Sequence, residues 1–293
     1  MANLKEVRTR IASVNSTQQI TKAMKMVSAA KLRRAQEGIQ QLRPYAIKLR
    51  EILDNLAESA GGDLAKVREE KNILIVPVCS NRGLCGAFNA NVIRTVNKLI
   101  AEQFAEQHAE GNVKVLCVGK KASDFFSKKM PSVYIGQHND VFDSLSFSVS
   151  APIAEKIMAD FVEEKYDKVV VVYNQFKNAA VQSLEVEQLL PLQPEAESNE
   201  AAKKKMVNDY IFEPGKEEIL LELIPKSIKT QLYKSFLDSN ASEHGARMTA
   251  MNKATDNAGE LLKDLRLTYN KARQAAITTE ILEIVGGAEA LNS

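Results

Sequence analysis

Two long segments at opposite ends of the chain carry the same seven-residue apolar repeat. One repeat extends from Leu4 to Leu56, and the other extends from Leu237 to Ala276. Such a repeat keeps one seam of a helix facing one partner helix in a left-handed coiled coil. Because the two segments flank a region of different composition, the pattern predicts that they pair antiparallel with each other.

The region between the two repeats has the pattern of an α/β domain. Short β-branched runs alternate there with stretches of helical spacing. The predicted strands are 71–79, 113–118, 133–136 and 168–173, and the predicted helices are 89–107, 119–129 and 146–165. This alternation predicts a mainly parallel, Rossmann-like sheet with helices on its faces. Residues 180–190 alternate imperfectly, which favours an antiparallel edge strand.

These patterns divide the 293-residue chain into three parts. Residues 1–58 are predicted to form an N-terminal coiled-coil helix, residues 70–213 an α/β domain, and residues 214–293 a C-terminal coiled-coil helix. Residues 193–209 are polar and poor in aromatic side chains, which favours a mobile segment within the domain. The predicted fold class is therefore α/β, with a long antiparallel coiled coil joined to a Rossmann-like domain.

The seam of the first helix turns polar in its middle. The polar seam positions are Gln18, Thr21, Lys25 and Ser28. Polar groups on a seam weaken packing, but they can also fix the register of the two helices or permit slippage. The simplest interpretation is an ordinary irregularity of a coiled coil. On that interpretation, the neighbouring Met24, Met26 and Val27 carry the apolar contact.

The second helix is predicted to be longer than its partner. If both helices leave the domain at the same end, Leu4 lies level with Tyr269, and about twenty residues, or roughly 30 Å, extend beyond it. The projecting stripe consists of Ile277, Ile281, Ile284, Ala288 and Leu291. A lone helix cannot bury such a stripe, so we expect it to lie in a socket of another protein.

Charge is nearly balanced over the whole chain, at +2, but it is concentrated at the start. Residues 1–50 hold eleven Lys and Arg against Glu6 and Glu37. A basic rod is typical of a nucleic-acid binder or of a protein that binds an acidic surface, and the solvated face of a coiled coil has the same pattern. Tyr45 is the only aromatic residue there, which disfavours stacking on bases. A basic coiled-coil nucleic-acid-binding protein is the alternative function.

No pattern predicts catalysis, a cofactor or a metal. The loop at 80–89 lies between a strand and a helix, but it lacks the Gly-Lys-Ser/Thr ending and the three-glycine spacing of nucleotide-binding loops. A dinucleotide enzyme is therefore a weaker rival. Cys79, Cys85 and Cys117 match no zinc spacing. The first residues lack a signal peptide, and no run approaches the roughly 20 apolar residues of a membrane span, so we expect a soluble intracellular protein.

Three stretches resemble one protein family. They are KEVRTRIASVNSTQQITKAMKMVSAAKLRRAQ at 5–36, SNRGLCGAFNANV at 80–92, and SEHGARMTAMNKATDNAGELL with ARQAAITTEILEIVGGAEAL within 242–291. Together they resemble the gamma subunit of the F-type ATP synthase, the central rotor stalk. In the loop, Asn81 stands where the family usually has Asp, and Ala87 and Phe88 stand where Gly-Leu is typical.

The resemblance implies a mechanical role. It implies that the coiled coil lies inside a ring of three alpha and three catalytic beta subunits, with one copy of this chain. The α/β domain and the epsilon subunit would rest on the membrane c-ring. Proton flow would turn the stalk, whose asymmetry drives the beta sites through the conformations that make ATP, or the reverse in hydrolysis. The chain itself would be non-catalytic and would regulate ATPase activity and proton flow.

The resemblance also implies contact residues and a location. The implied contacts with the ring are Lys22, Met24, Lys25, Met26, Arg33, Arg34, Arg247 and Met248 on the shaft, and Ile277, Ile281, Ile284 and Leu291 at its end. No residue is assigned to catalysis, a cofactor or a metal. Without an organellar transit peptide or the cysteine-bearing insert of chloroplast relatives, the expected location is the cytoplasmic face of a bacterial inner membrane, as a peripheral protein.

Overall fold

The computed structural model describes residues 4–56, 63–192 and 215–292. The elements follow in the order α1 (Leu4–Leu56), β1 (Ile73–Pro77), α2 (Phe88–Lys98), α3 (Ala105–Ala109), β2 (Val113–Val118), α4 (Lys120–Lys129), β3 (Tyr134–His138), α5 (Phe147–Val162), β4 (Lys168–Phe176), β5 (Gln182–Leu190) and α6 (Lys216–Asn292). A π-helical turn at Leu99–Gln103 follows α2. The predicted mobile segment, 193–209, lies outside the described residues.

Backbone contacts separate the chain into two compact units. The first, called the helical unit below, holds α1 up to residue 29 and α6 from residue 247. The second, called the α/β unit, holds the described residues between 30 and 246. Both terminal helices are continuous, although each contains a proline, Pro44 in α1 and Pro225 in α6.

The α/β unit is built on one five-stranded sheet in the order β3-β2-β1-β4-β5. The first four strands are parallel, and Ile75 of β1 pairs with Val115 on one side and Val170 on the other. The last strand, β5, pairs antiparallel with β4 at the edge of the sheet. The predicted mainly parallel sheet and its antiparallel edge strand are both confirmed.

Helices bury both faces of this sheet. On β1, Leu74 and Val76 point into a core shared with α5, with α6 and with the end of α1, while Ile73 and Ile75 point into a core shared with α2 and α4. A strand covered on both sides needs apolar residues at every position rather than at alternate ones. This explains the continuous apolar run that the sequence shows in β1.

One carboxylate is buried inside the α/β unit. Asp238 of α6 is only 4% exposed. Burial raises the pKa of this carboxyl group from its ordinary value of 3.8 to about 6, although the nearby charges of Lys234 and Arg43 and a hydrogen bond from the backbone of Phe176 oppose the rise. The charge of Glu187 adds to it. Ionised Asp238 therefore costs the folded protein free energy at neutral pH.

We expect Asp238→Asn to stabilise the protein at pH 8 but hardly at pH 4. The folded pKa of Asp238 lies above the unfolded value, so the contribution of this group to wild-type stability falls as pH rises from about 4 to 6. Above about pH 6, the buried negative charge of Asp238 destabilises the folded protein by on the order of 2 to 3 kcal/mol. The neutral amide of Asn has no such cost. Urea unfolding at both pH values measures the difference. Asp264→Asn, an exposed change on the same helix, serves as the control. Equal stability of Asp238→Asn and wild type at pH 8 would contradict this explanation.

Candidate interaction surfaces

The two terminal helices pair along the seam that the repeat predicts. Every repeat position of α1 from Leu4 to Leu53 is buried or half-buried, as is every repeat position of α6 from Leu237 to Ala276. Within the helical unit, Thr21 contacts Thr255, whereas Gln18, one turn earlier in α1, lies beside Gly259, one turn later in α6. The helices are therefore antiparallel, and the predicted pairing is confirmed.

The polar middle of the seam is packed differently from the prediction. Met26 and Val27 are 61% and 58% exposed, so they do not carry the apolar contact there, and that prediction was wrong for both residues. Each residue turns the helix by about 100°, so the two residues that follow Lys25 point away from the seam. Thr21 and Ser28 are themselves buried. The hydroxyl of Ser28 donates to the carbonyl oxygen of Met24, at 2.8 Å.

The predicted shaft contacts fall into two groups. The exposed ones are Lys22, Met26, Arg33 and Arg34. The half-buried or buried ones are Met24, Lys25, Arg247 and Met248. Among the second group, Lys25 donates to Asn252 across the seam and Arg247 is only 7% exposed. The first group thus offers surface to a partner, while the second is largely engaged within the chain.

Exposed apolar residues on the outer face of the helical unit were missing from the predicted contacts. They are Ile20, Val27, Leu261 and Leu267. The sequence spacing indicates their exposure, because each of them lies off the seven-residue seam. A residue off the seam does not pack against the partner helix. Apolar side chains left outside a seam in this way are candidates for contact with another protein.

The end of α6 carries a run of exposed apolar side chains. Ala276 is the last half-buried repeat position, and every side chain described after it, from 277 to 288, is exposed. We call residues 277–292 the tip. Its exposed large apolar side chains are Ile277, Ile281, Leu282, Ile284 and Val285, between 46% and 71% exposed. The side chain of Leu291 lies outside the described residues.

The tip also differs in charge from the rest of the helix. It contains Glu280, Glu283 and Glu289, and no Lys or Arg follows Arg273 in the sequence. Leu282 and Val285 widen the apolar stripe beyond the predicted seam positions, so the stripe covers more than the narrow surface that pairs two coiled-coil helices. This broad apolar surface fits a socket that surrounds the helix better than a single partner helix.

The site where open parallel sheets bind nucleotides is filled by the chain itself. In a sheet of this order, the crevice lies at the carboxyl ends of β1 and β4, where the strand order reverses. Helix α6 closes it: the Ser239 hydroxyl donates to the carbonyl oxygen of Val78, at 3.4 Å, and the Ser242 hydroxyl donates to that of Asn174, at 2.9 Å. This packing disfavours the dinucleotide-enzyme interpretation.

The loop after β1 is held by its own side chains. The Asn89 side chain accepts from the backbone N–H of Ser80, at 2.9 Å, and donates to the sulfur of Cys85, at 3.2 Å. The backbone N–H of Lys121, at the start of α4, donates to the carbonyl oxygen of Ser80. The geometry is thus that of a packed connection between strand and helix.

The described part of the chain shows no grouping of three His, Cys, Asp or Glu side chains that could hold a metal ion. Cys79, Cys85 and Cys117 are free and buried. Burial raises the pKa of the Cys117 thiol to about 12 and that of Cys79 well above its usual value, so both are poor nucleophiles. Among the helices of residues 4–56, 63–192 and 215–292, none combines the length and apolarity needed to cross a membrane.

Comparison with known proteins agrees with these features. The family model described as ATP synthase matches residues 3–291. The ATP synthase gamma chain of Cytophaga hutchinsonii is 56% identical over 298 residues, which cover all of both chains. A chain of the Euglena gracilis mitochondrial ATP synthase, solved with OSCP, F1 and c-ring, superposes with a TM-score of 0.73 at 24% identity, covering 98% of this chain and 94% of that one.

A second solved structure comes from the central stalk and c-ring of the Tetrahymena thermophila mitochondrial ATP synthase. Its chain is 25% identical, with a TM-score of 0.60, and the match covers 80% of this chain and 99% of that one. The family match spans both terminal helices and the sheet between them. With full-length identity above one half to a curated relative, the chain belongs to the ATP synthase gamma chain family.

Proposed function

We propose that this chain is the central rotor shaft of an F-type ATP synthase. In this role it transmits rotation, driven by the transmembrane proton gradient, to three catalytic beta subunits, and it transmits rotation in the opposite direction during ATP hydrolysis. The observation that carries the proposal is the apolar tip, which extends past the last buried seam position at Ala276 and lacks a covering surface among the described residues. Family membership supplies the class of machine to which such an end belongs.

The proposed partners follow from the relatives and from the surfaces. The Tetrahymena structure contains a central stalk with a c-ring, and the Euglena structure contains F1 with a c-ring. We assign the chain to a ring of three alpha and three beta subunits in a 3:3:1 complex, with the epsilon subunit and the c-ring at the α/β end. In this assignment, residues 1–58 and 214–293 form the shaft, and residues 70–213 form the α/β domain. These partners favour a protein surface over the alternative of nucleic-acid binding.

Contacts with the ring are assigned to two surfaces. On the shaft, Lys22, Met26, Arg33 and Arg34 present charge and apolar area outward. Basic side chains at the rim of an interface set orientation and encounter rate more than affinity, which suits a shaft that must turn. At the tip, Ile277, Ile281 and Ile284 provide apolar area, and Leu291 is assigned with them. The half-buried Met24, Lys25 and Met248, together with the buried Arg247, support the shape of the shaft from within.

The chain is proposed to be non-catalytic and peripheral to a membrane. The filled crevice at β1 and β4 supports the absence of an active site, because α6 occupies the position that a nucleotide would need. The Cytophaga relative is bacterial, which supports the cytoplasmic face of a bacterial inner membrane as the location. The helices described here contain no membrane span, which is consistent with attachment through other subunits.

Co-purification with alpha and beta subunits tests the proposal directly. We expect the tagged full chain, co-expressed with the alpha and beta subunits of its own source organism or of Cytophaga hutchinsonii, to form a complex with 3:3:1 stoichiometry in native mass spectrometry. The purified chain alone should show no ATP turnover, whereas the complex should hydrolyse ATP. ATP turnover by the isolated chain, or DNA binding that weakens steeply with salt in place of complex formation, would contradict the proposal.

A further inference from the structure

Three polar contacts cross the seam of the helical unit within two helical turns of α1, between Gln18 and Lys25. The Thr255 hydroxyl donates to the Thr21 hydroxyl oxygen, at 2.8 Å. One turn away, the Lys25 ammonium donates to Oδ1 of Asn252, at 2.6 Å. On the other side, Nε2 of Gln18 donates to the carbonyl oxygen of Thr255, at 3.4 Å. These five residues are called the polar layer below, and they replace the apolar contacts that fill most of the seam.

The polar layer is matched in shape and orientation as well as in hydrogen bonding. Asn252 donates through Nδ2 to Asp256, at 3.1 Å, which leaves its Oδ1 turned toward Lys25. A side chain at Gly259 would place its Cβ 3.0 Å from Nε2 of Gln18, so the glycine leaves space for that amide. After proline, glycine is the least favourable residue inside a helix. Its presence at position 259 therefore agrees with a steric requirement.

The polar layer fits only one alignment of the two helices. If α6 moved by one heptad in either direction, Thr21 would face Leu262 or Met248 in place of Thr255. Lys25 would face Gly259 or Gly245, neither of which has a side chain that can accept a hydrogen bond. Buried polar groups left without partners disfavour such an alignment, whereas a seam of Leu, Ala and Met tolerates it. A single polar pair can specify register in this way in coiled coils.

We propose that the polar layer is a register lock, which holds α1 and α6 at one longitudinal alignment. The inference deepens the proposed function and rests on it for its biological meaning. A slip of one heptad would move one helix by about 10.5 Å along the other. It would displace Lys22 and Met26 relative to every surface that α6 presents. A shaft that transmits rotation needs both outer faces to keep their levels in the ring under load.

A triple variant removes the lock without disturbing the seam. Thr21→Val, Lys25→Met and Thr255→Val delete the two side-chain pairs, Thr255 with Thr21 and Lys25 with Asn252, and leave side chains of similar size. The amide of Gln18 keeps its acceptor, because that acceptor is the backbone carbonyl oxygen of Thr255. The matched control makes the same changes at exposed sites, with Thr17→Val, Lys263→Met and Thr268→Val. The hydroxyls of Thr17 and Thr268 bond only to backbone carbonyls of their own helices in the structure, so these changes leave the seam intact.

Spin-label distances on the free full-length chain measure the register. Labels at Ala12 and Lys253, both exposed, lie about 18 Å apart along the helix axes, and a slip of one heptad changes this offset by about 10 Å. The native cysteines are buried and should remain unlabelled. We expect one narrow distance distribution for the wild type and for the control. The triple variant should show a broadened distribution or a second population.

Two outcomes would overturn the register lock. A narrow, unshifted distance in the triple variant would show that the two side-chain pairs do not fix the register, and equal broadening in the control would show that the substitutions act through helix stability. Because apolar residues suit a seam, the melting temperature of the triple variant should be unchanged or higher. A lower melting temperature with an unchanged distance would count against the lock. Lys25→Met alone, which leaves two of the three contacts intact, supplies a milder variant that should broaden the distribution less.

The experiment is independent of the proposed assembly. It uses no alpha or beta subunit, so failure to form a 3:3:1 complex leaves the spin-label result unaffected. Conversely, a normal complex combined with an unaltered register in the triple variant would refute the lock alone. The two proposals can therefore fail separately.

Discussion

Gly119→Ala is expected to destabilise the α/β unit by at least about 3 kcal/mol, a large share of the 5 to 15 kcal/mol that typically stabilises a domain. Gly119 joins β2 to α4 with φ of 92° and ψ of 142°, a conformation that side chains disfavour. A Cβ there would lie 2.0 Å from the carbonyl oxygen of Cys79 and 2.7 Å from its carbonyl carbon. Both are backbone atoms of a residue that lies two positions after the central strand and is hydrogen-bonded to Val118 of β2, so they cannot move aside without disturbing the sheet. Urea unfolding followed by circular dichroism measures the loss.

Gly111→Ala separates the two causes of this effect. Gly111 also has a positive φ, of 81°, but a Cβ there would meet no atom within 4 Å. Its replacement should therefore show only the backbone cost, about 1 to 2 kcal/mol. If both variants lost the same stability, the close approach to Cys79 would not be the cause. A wild-type melting temperature for Gly119→Ala would contradict the geometry described for this turn.

Placing three aspartates on the tip is expected to abolish stable retention in the ring while leaving the free chain intact. The changes are Ile277→Asp, Ile281→Asp and Ile284→Asp. If each isoleucine becomes buried in a socket, its loss costs about 1.5 kcal/mol or more, so the three together should weaken binding by at least about a thousandfold. Their exposure predicts no loss of stability in the free chain. The dissociation rate of the chain from a reconstituted complex measures retention in the ring. The melting temperature of the free chain measures its stability.

The control adds the same charge next to the isoleucines without replacing any of them. Ala275→Asp, Thr278→Asp and Thr279→Asp alter exposed residues on the same turns but outside the isoleucine stripe. We expect this variant to dissociate much more slowly than the isoleucine variant. Equal dissociation of the two would mean that charge, rather than apolar contact, governs the tip. Retention of the isoleucine variant at the wild-type rate would exclude the tip from the interface.

Several elements of the fold were predictable because they repeat along the chain. The seven-residue spacing predicted every buried seam position from Leu4 to Leu53, since a helix brings such positions to one side whatever its partner. The β-branched runs predicted the strands in the same way, and the imperfect alternation at 180–190 predicted the antiparallel edge strand β5. The exposed apolar tip also followed from the sequence, because counting residues along two paired helices shows where the shorter one ends.

Other features depended on which distant residues meet. Spacing alone does not reveal that Lys25 finds Asn252, that Gly259 makes room for Gln18, or that Gly119 lies against Cys79. The outward direction of Met26 and Val27 follows from the angle between successive residues of a helix. The prediction missed it because the seam positions beside them are polar. Local periodicity determines which side of an element is buried. Only the tertiary structure decides what that side is buried against, because the alignment of two elements depends on contacts between residues far apart in the chain.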